Sequence, residues 1–459
     1  MATEARRGVP LDAGSWTRRP PGVPSGVPPP SVPLAFLLAS GLGLVACGVA
    51  FVAARGAAAT DPTADAVVAA VHLGVLATLS MGVLGALHQF VPVVTGRALR
   101  SVPLARATFL AWFAASWLLP LGVAFASENV VESGGALAAL AISLAVANLS
   151  LPLAVRATGP AVTGLRLALG GFVVTACFGV LYVADRRGNW FVLSGHVVLA
   201  HALIGLFAWL GLTYVSVAEK LWPMFFLAHV PGRRRAGRVA VWAVPAGVAL
   251  VSPGVLTGVA VLDALGAALL VGGLAAHLWS LVAHVRHRRR KSDLHLIFVV
   301  TSAGWLGVGA VLALTSVLVL PGDHHRGVAL VAAAVAAFGG WLLEALVGHL
   351  HKVVPFIAWS VLRARGITTA AAGRQIMFAD LYKHLWAVVT YVLVTTGIGG
   401  LCVGLSADLP AATALGGALL ALTGLIGTGN LALTPIRLLA GGSAAGGRGS
   451  AESDANPQA

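Results

Sequence analysis

The chain has 459 residues, of which 58% are hydrophobic and only 10% charged. A water-soluble domain carries about 25% charged residues, so composition excludes an ordinary soluble protein and implies a polytopic membrane protein embedded in a lipid bilayer. The 30 Lys and Arg against 16 Asp and Glu could suggest a nucleic-acid partner, but the arginines lie in short loops between apolar runs, and no nucleic-acid partner is expected.

In chain order, residues 1–33 are rich in Pro, Gly and Arg and are expected to be disordered, with no cleavable leader ahead of the first apolar run. Apolar runs follow at 34–54, 66–94, 104–126, 134–156, 162–183 and 193–225, then at 239–258, 260–285, 294–319, 327–357, 381–405 and 410–436. Each can supply a membrane-spanning helix, which needs about 20 residues. The fold class is therefore all-α: a bundle of about twelve transmembrane helices over 34–437, followed by a Gly/Ser-rich tail at 438–459. Cys47, Cys177 and Cys402 fall in separate runs, so neither a disulfide framework nor a Cys-x-x-Cys site is present.

The end of the second run recurs. Leu87-His88-Gln89-Phe90-Val91-Pro92 is echoed by Ala218-Glu219-Lys220-Leu221-Trp222-Pro223 and by Leu350-His351-Lys352-Val353-Val354-Pro355. The interval from Pro92 to Pro223 is 131 residues, and from Pro223 to Pro355 it is 132. A fixed long interval signals a repeated structural unit, here three units of four helices. The second, sixth and tenth helices occupy matching places.

Lys and Arg alternate between loops. Of the 30, 23 lie on one side, four (Arg55, Arg186, Arg187 and Arg326) on the other, and three lysines at helix ends. The positive-inside rule then sets both termini in the cytoplasm of a multi-pass inner (plasma) membrane protein. His72, His196 and His201 fall in the outer part of the membrane. His88, His349 and His351 fall at inner helix ends.

A buried ionisable side chain in a bilayer marks a functional site by default. His72 and His201 stand at nearly equal depth on matching helices, 20 residues before Pro92 and 22 before Pro223. Neutral imidazole ligates haem iron and copper, so the two could grip a metal or a haem. An imidazole bonded to a carbonyl across a helix interface would read the same way. His196 lies about 140° round the helix from His201, so the two cannot share one ligand face. The inner groups His88, Glu219 and His351, followed by Lys220 and Lys352, suit a proton path or polar gate, or else snorkelling helix ends. Glu344, seven residues before His351, could extend a relay along the tenth helix.

Twelve helices, a threefold repeat and a histidine in the outer half of the second helix together resemble subunit I of the haem–copper oxidases. His72, with the downstream Phe90-Val91-Pro92, is similar to that family's second-helix ligand to the low-spin haem. Gly195-His196 resembles the sixth-helix segment whose histidine binds copper, a role for which His201 competes. The block from His72 to Arg97 is also similar to NnrS proteins, membrane proteins linked to nitric-oxide stress. The resemblance implies haem b, copper and a redox partner subunit.

Departures from the family matter as much. Val251–Asp263 carries no histidine pair, and Gly327–Ala337 carries no histidine at all. His349-Leu350-His351 has the family's spelling one helix length too far inward, and Ala200 and Gly205 stand where a tyrosine would follow His196 or His201. A competent oxygen-reducing copper site is not expected. The resemblance therefore implies electron transfer or nitric-oxide handling. A secondary transporter with a cytoplasmic polar gate and a cofactor-free assembly or scaffold subunit are the other readings.

Overall fold

A computed structural model describes residues 28–61, 64–156, 159–190, 195–230, 233–319, 323–369 and 374–446. The expectations for residues 1–27 and 447–459 lie outside them. Twelve helices among these residues are long and apolar enough to cross a membrane. They are α1 (Ser31–Thr60), α2 (Asp65–Thr95), α3 (Val102–Ala124), α4 (Glu128–Leu153), α5 (Pro160–Gly188) and α6 (His196–Phe226). The second half gives α7 (Arg233–Thr257), α8 (Ala260–Arg286), α9 (Leu294–Leu318), α10 (His325–Ala364), α11 (His384–Ser406) and α12 (Pro410–Gly446). The chain is thus an all-α, multi-pass membrane helix bundle.

Local chemistry explains the helix ends. Ser101 accepts the Leu104 N–H at 3.3 Å ahead of α3, and Asp293 accepts the Leu296 N–H at 3.1 Å ahead of α9, each a side-chain N-cap. Proline opens α5 and α12, where its missing N–H costs nothing. Gly96, at φ 68°, ends α2 in the left-handed region that suits glycine. Pro92, Pro223 and Pro355 lie inside their helices, which run on to Thr95, Phe226 and Ala364. Likewise α12 continues to Gly446, into the segment read as a tail, where alanine favours helix.

Helices meet through glycine. In the α7–α8 hairpin, a Cβ on Gly247 would come within 2.6 Å of the Leu270 backbone N, and one on Gly266 would overlap the backbone N of Val251. Gly122 and Gly134 do the same between α3 and α4, Gly404 and Gly416 between α11 and α12, and Gly48 and Gly417 between α1 and α12. Lipid supplies no hydrophobic drive between helices, so close backbone approach and dispersion hold the hairpins together.

The centre of the bundle has a feature with no counterpart in residue type. In α2, α6 and α10 the backbone opens into a wide π-helical stretch of eight residues: Leu73–Ser80, Ile204–Gly211 and Ala336–Leu343. Their first residues are separated by the same intervals as the three prolines. The stretches also touch. The Trp209 Nε1–H donates to Ser80 Oγ at 3.1 Å, Phe207 lies 6.2 Å from Trp341 between ring centroids, and Gly82 faces Leu346. Thus α2, α6 and α10 converge at mid-bundle. The Trp112 indole of α3 donates to the Leu76 carbonyl at 3.1 Å, giving a partner to one carbonyl of the wide stretch. Replacing Trp209 with Phe removes the donor and leaves buried Ser80 one bond short. The expected cost is about 1–2 kcal/mol, measurable by detergent denaturation of purified protein.

A small cap covers the arginine-rich end of α10. Ala358, Leu362, Ile376 and Leu381 pack together beneath Trp359, whose indole donates to the Ile376 carbonyl at 3.3 Å. Partial burial of Asp380 opposes its ionisation, but bonds from Arg374 (2.7 Å) and the Met377 N–H (2.8 Å) outweigh it and hold the carboxyl below its usual range. A depressed folded-state value stabilises the cap above the unfolded carboxylate value, and this is lost as pH falls through the folded one. Limited proteolysis of the segment around Asp380 by an acid-active protease should therefore accelerate only as pH falls below the usual aspartate range, and Asp380→Asn should remove that dependence.

Candidate functional site

At the end of the bundle opposite the arginine-rich loops, His72 occupies the last α-helical position before the wide stretch of α2 and is half-buried. Its Nδ1 pairs with the Val68 carbonyl at 2.8 Å. Since a carbonyl only accepts, Nδ1 carries the proton and the Nε2 lone pair is left available, the arrangement of a ligating imidazole oriented by a second group. His201, on α6, is half-buried and within electrostatic range of His72. Its ring meets Tyr182 of α5 edge-on at 5.4 Å, and its Nδ1 is buried without a hydrogen-bond partner among the described residues. Tyr182 is itself fixed by donating to the Val197 carbonyl at 2.7 Å. His196 is exposed and does not join the pair. His72 and His201 thus stand on two helices at the same end of the bundle.

The inner-end residues do not share one meeting point. His88 stacks on Phe36 of α1 at 5.2 Å with ring planes 17° apart, and His351 stacks on Phe298 of α9 at 5.9 Å, also at 17°. Each donates Nδ1–H to the carbonyl four residues back, Leu84 and Val347. Glu219, at the matching place on α6, lies against Gly237 of α7 and accepts from Ser280 of α8 at 3.5 Å. Lys220 is exposed. Lys352 forms a 2.5 Å ion pair with Asp293 and lies over the Phe378 ring. Glu344 is fully buried and accepts from Thr395 of α11 at 3.2 Å; its described hydrogen bond therefore leads to α11 rather than to His351.

Four further histidines, each unremarkable alone in the sequence, bury together towards the arginine-rich end. His277 and His284 stand on α8, His295 on the first turn of α9 and His349 on α10. Aromatic rings of α6 separate and connect them: Trp222 is 4.7 Å from His277 and 6.0 Å from His284, while Tyr214 is 5.6 Å from His277 and 5.7 Å from His349. His295 and His349 are 4.8 Å apart. The seven-residue spacing of His277 and His284 on one helix face was the one available signal.

Among the described residues no three His, Cys, Asp or Glu side chains converge as a metal site. A closed three-histidine copper centre is therefore not present among them, whereas axial ligation by one or two histidines asks for less. The chain matches no family model and no curated protein.

Proposed function

We propose that this protein is a redox membrane protein of the haem–copper oxidase subunit I type, with NnrS-like character, that holds a haem b through His72 with His201 as its second ligand. The observation that supports the reading is that these two imidazoles, on α2 and α6, stand at one end of the bundle within electrostatic range of each other. His72 is pinned by Val68 in the tautomer that leaves Nε2 open, and His201 has a buried nitrogen without a partner among the described residues. These residues fit a bis-imidazole haem; they do not supply the three ligands of a closed copper site, so copper would need an exogenous ligand. Haem would contribute a one-electron couple. The chain's own part is to orient the ligands and keep water from them through the apolar surroundings of the wide stretches.

The matched intervals of prolines and wide stretches support a threefold four-helix repeat. The loop arginines support cytoplasmic termini in an inner membrane. In this reading electrons come from a partner subunit, and the reaction served is electron transfer or nitric-oxide handling rather than oxygen reduction. An absorbance spectrum with metal analysis of detergent-purified protein tests it: a haem spectrum at one equivalent is expected, and a colourless, iron-free preparation overturns it.

A second reading, a secondary transporter, is favoured by Glu344, a carboxyl buried at mid-bundle against Thr395. Uptake into proteoliposomes that is lost in Glu344→Gln, without any bound cofactor, would select it.

A further inference from the structure

We infer that a hydrated inlet runs from the arginine-rich face, between α6, α8, α9 and α10, to the centre of the bundle, and that it admits water and protons along a column of histidines. Its mouth is the Asp293–Lys352 ion pair. The Asp293 side chain is 33% exposed there, and Arg290 lies 3.7 Å away on its outer side. Immediately inside, His295 is buried, and neither of its ring nitrogens has a partner among the described residues. His349 comes next; the Ala345 carbonyl takes its Nδ1–H at 2.7 Å, and its Nε2 is again without a partner. Tyr214 follows, and beyond it stand His277, with Nδ1 unpartnered, and Trp341 of the wide stretch, 5.9 Å from Tyr214. From His349 to Trp341 is about 12 Å along α10 at 1.5 Å per residue. The other titratable groups close to the mouth among the described residues are His351, which faces Phe298 and Tyr382, and Tyr382 itself, which feels the Asp293 charge.

The argument is one of satisfaction. A buried polar nitrogen left unpaired costs about 1–3 kcal/mol, whereas apolar groups of the same shape would cost little. Here four such nitrogens, on three side chains, follow one succession of ring contacts from His295 through His349 and Tyr214 to His277. A bound metal does not relieve them, because no three ligands converge among the described residues. Ordered water does, since each molecule can serve two to four polar partners. Water threaded past these imidazoles forms the proton-carrying chain, and the open nitrogens of His295, His349 and His277 are its hydrogen-bonding stations. The inlet is independent of haem, so a colourless protein would sink the redox reading and leave this one standing.

The test uses the full chain in oriented membrane vesicles, with Cys47, Cys177 and Cys402 replaced by alanine. His349→Cys is compared with Val215→Cys, a fully buried neighbour of Tyr214 in the apolar core. A membrane-impermeant charged thiosulfonate added at the arginine-rich face should label His349→Cys at least about tenfold faster, because thiol reactivity follows access and ionisation. It should give no such advantage from the opposite face. Equal rates for the two variants, or labelling from the opposite face, would overturn the inlet. Should His349→Cys fail to fold, the unaltered protein answers the same question through diethyl pyrocarbonate. Adducts mapped by peptide mass spectrometry should form on His295 and His349 from the arginine-rich face, alongside exposed His287. Modification of His287 alone, or one equivalent of zinc retained by the unaltered protein and lost in His295→Ala, would also overturn it.

Discussion

Purified His72→Ala protein is expected to lose its Soret band entirely, while eluting as a monodisperse particle like the unaltered chain. In the proposed site neutral imidazole would be the axial group, and alanine offers iron nothing in its place. His72 is half-buried, so the truncation removes little packing and the bundle should survive it. The decisive comparison is with His201→Ala. Loss of His201 leaves a haem held from one side, with its spectrum shifted from six-coordinate towards five-coordinate form, rather than an empty protein. If His72→Ala keeps the full spectrum, the haem is held elsewhere and the proposed His72–His201 site is overturned.

The second large effect concerns the frame. Gly266→Leu is expected to abolish recovery of folded protein, whereas Gly272→Leu should be neutral. A Cβ at 266 would overlap the backbone of Val251, while at 272 it would meet nothing within 4 Å. Overpacking a core with extra methylenes costs about 1–3 kcal/mol when side chains can yield. Here the obstacle is main chain, so α7 and α8 must separate along their length and forfeit the dispersion that joins them. Size-exclusion recovery of the two variants in detergent measures the contrast, and equal recovery would show that the hairpin tolerates spreading.

Much of the frame was legible because bilayer thickness writes itself into run lengths: all twelve apolar runs correspond to helices, including the division between α7 and α8 at Gly258. The 131- and 132-residue intervals were visible through Pro92, Pro223 and Pro355, although the helices run through those prolines. What a single chain conceals is rotation. His88, Glu219 and His351 hold matching places along their helices, yet they turn towards Phe36, Ser280 and Phe298, three separate neighbours. His349 reads as a helix-end residue, and nothing marks His295 as its buried neighbour, because sequence does not say which distant helices lie side by side. The wide stretches left no mark either, since a shift of backbone bonding from one carbonyl to the next demands no particular side chain.

That shift has a geometric consequence. An α-helix advances about 100° per residue, so a stretch that takes in extra residues per turn swings everything beyond it about the helix axis. The two halves of α2, α6 and α10 are therefore aimed separately, like a shaft with a joint at its waist. Histidines at the far end of such a rod can be set towards one neighbour and those at the near end towards another. Shortening any one joint by a single residue would re-aim half a helix while leaving its composition almost untouched.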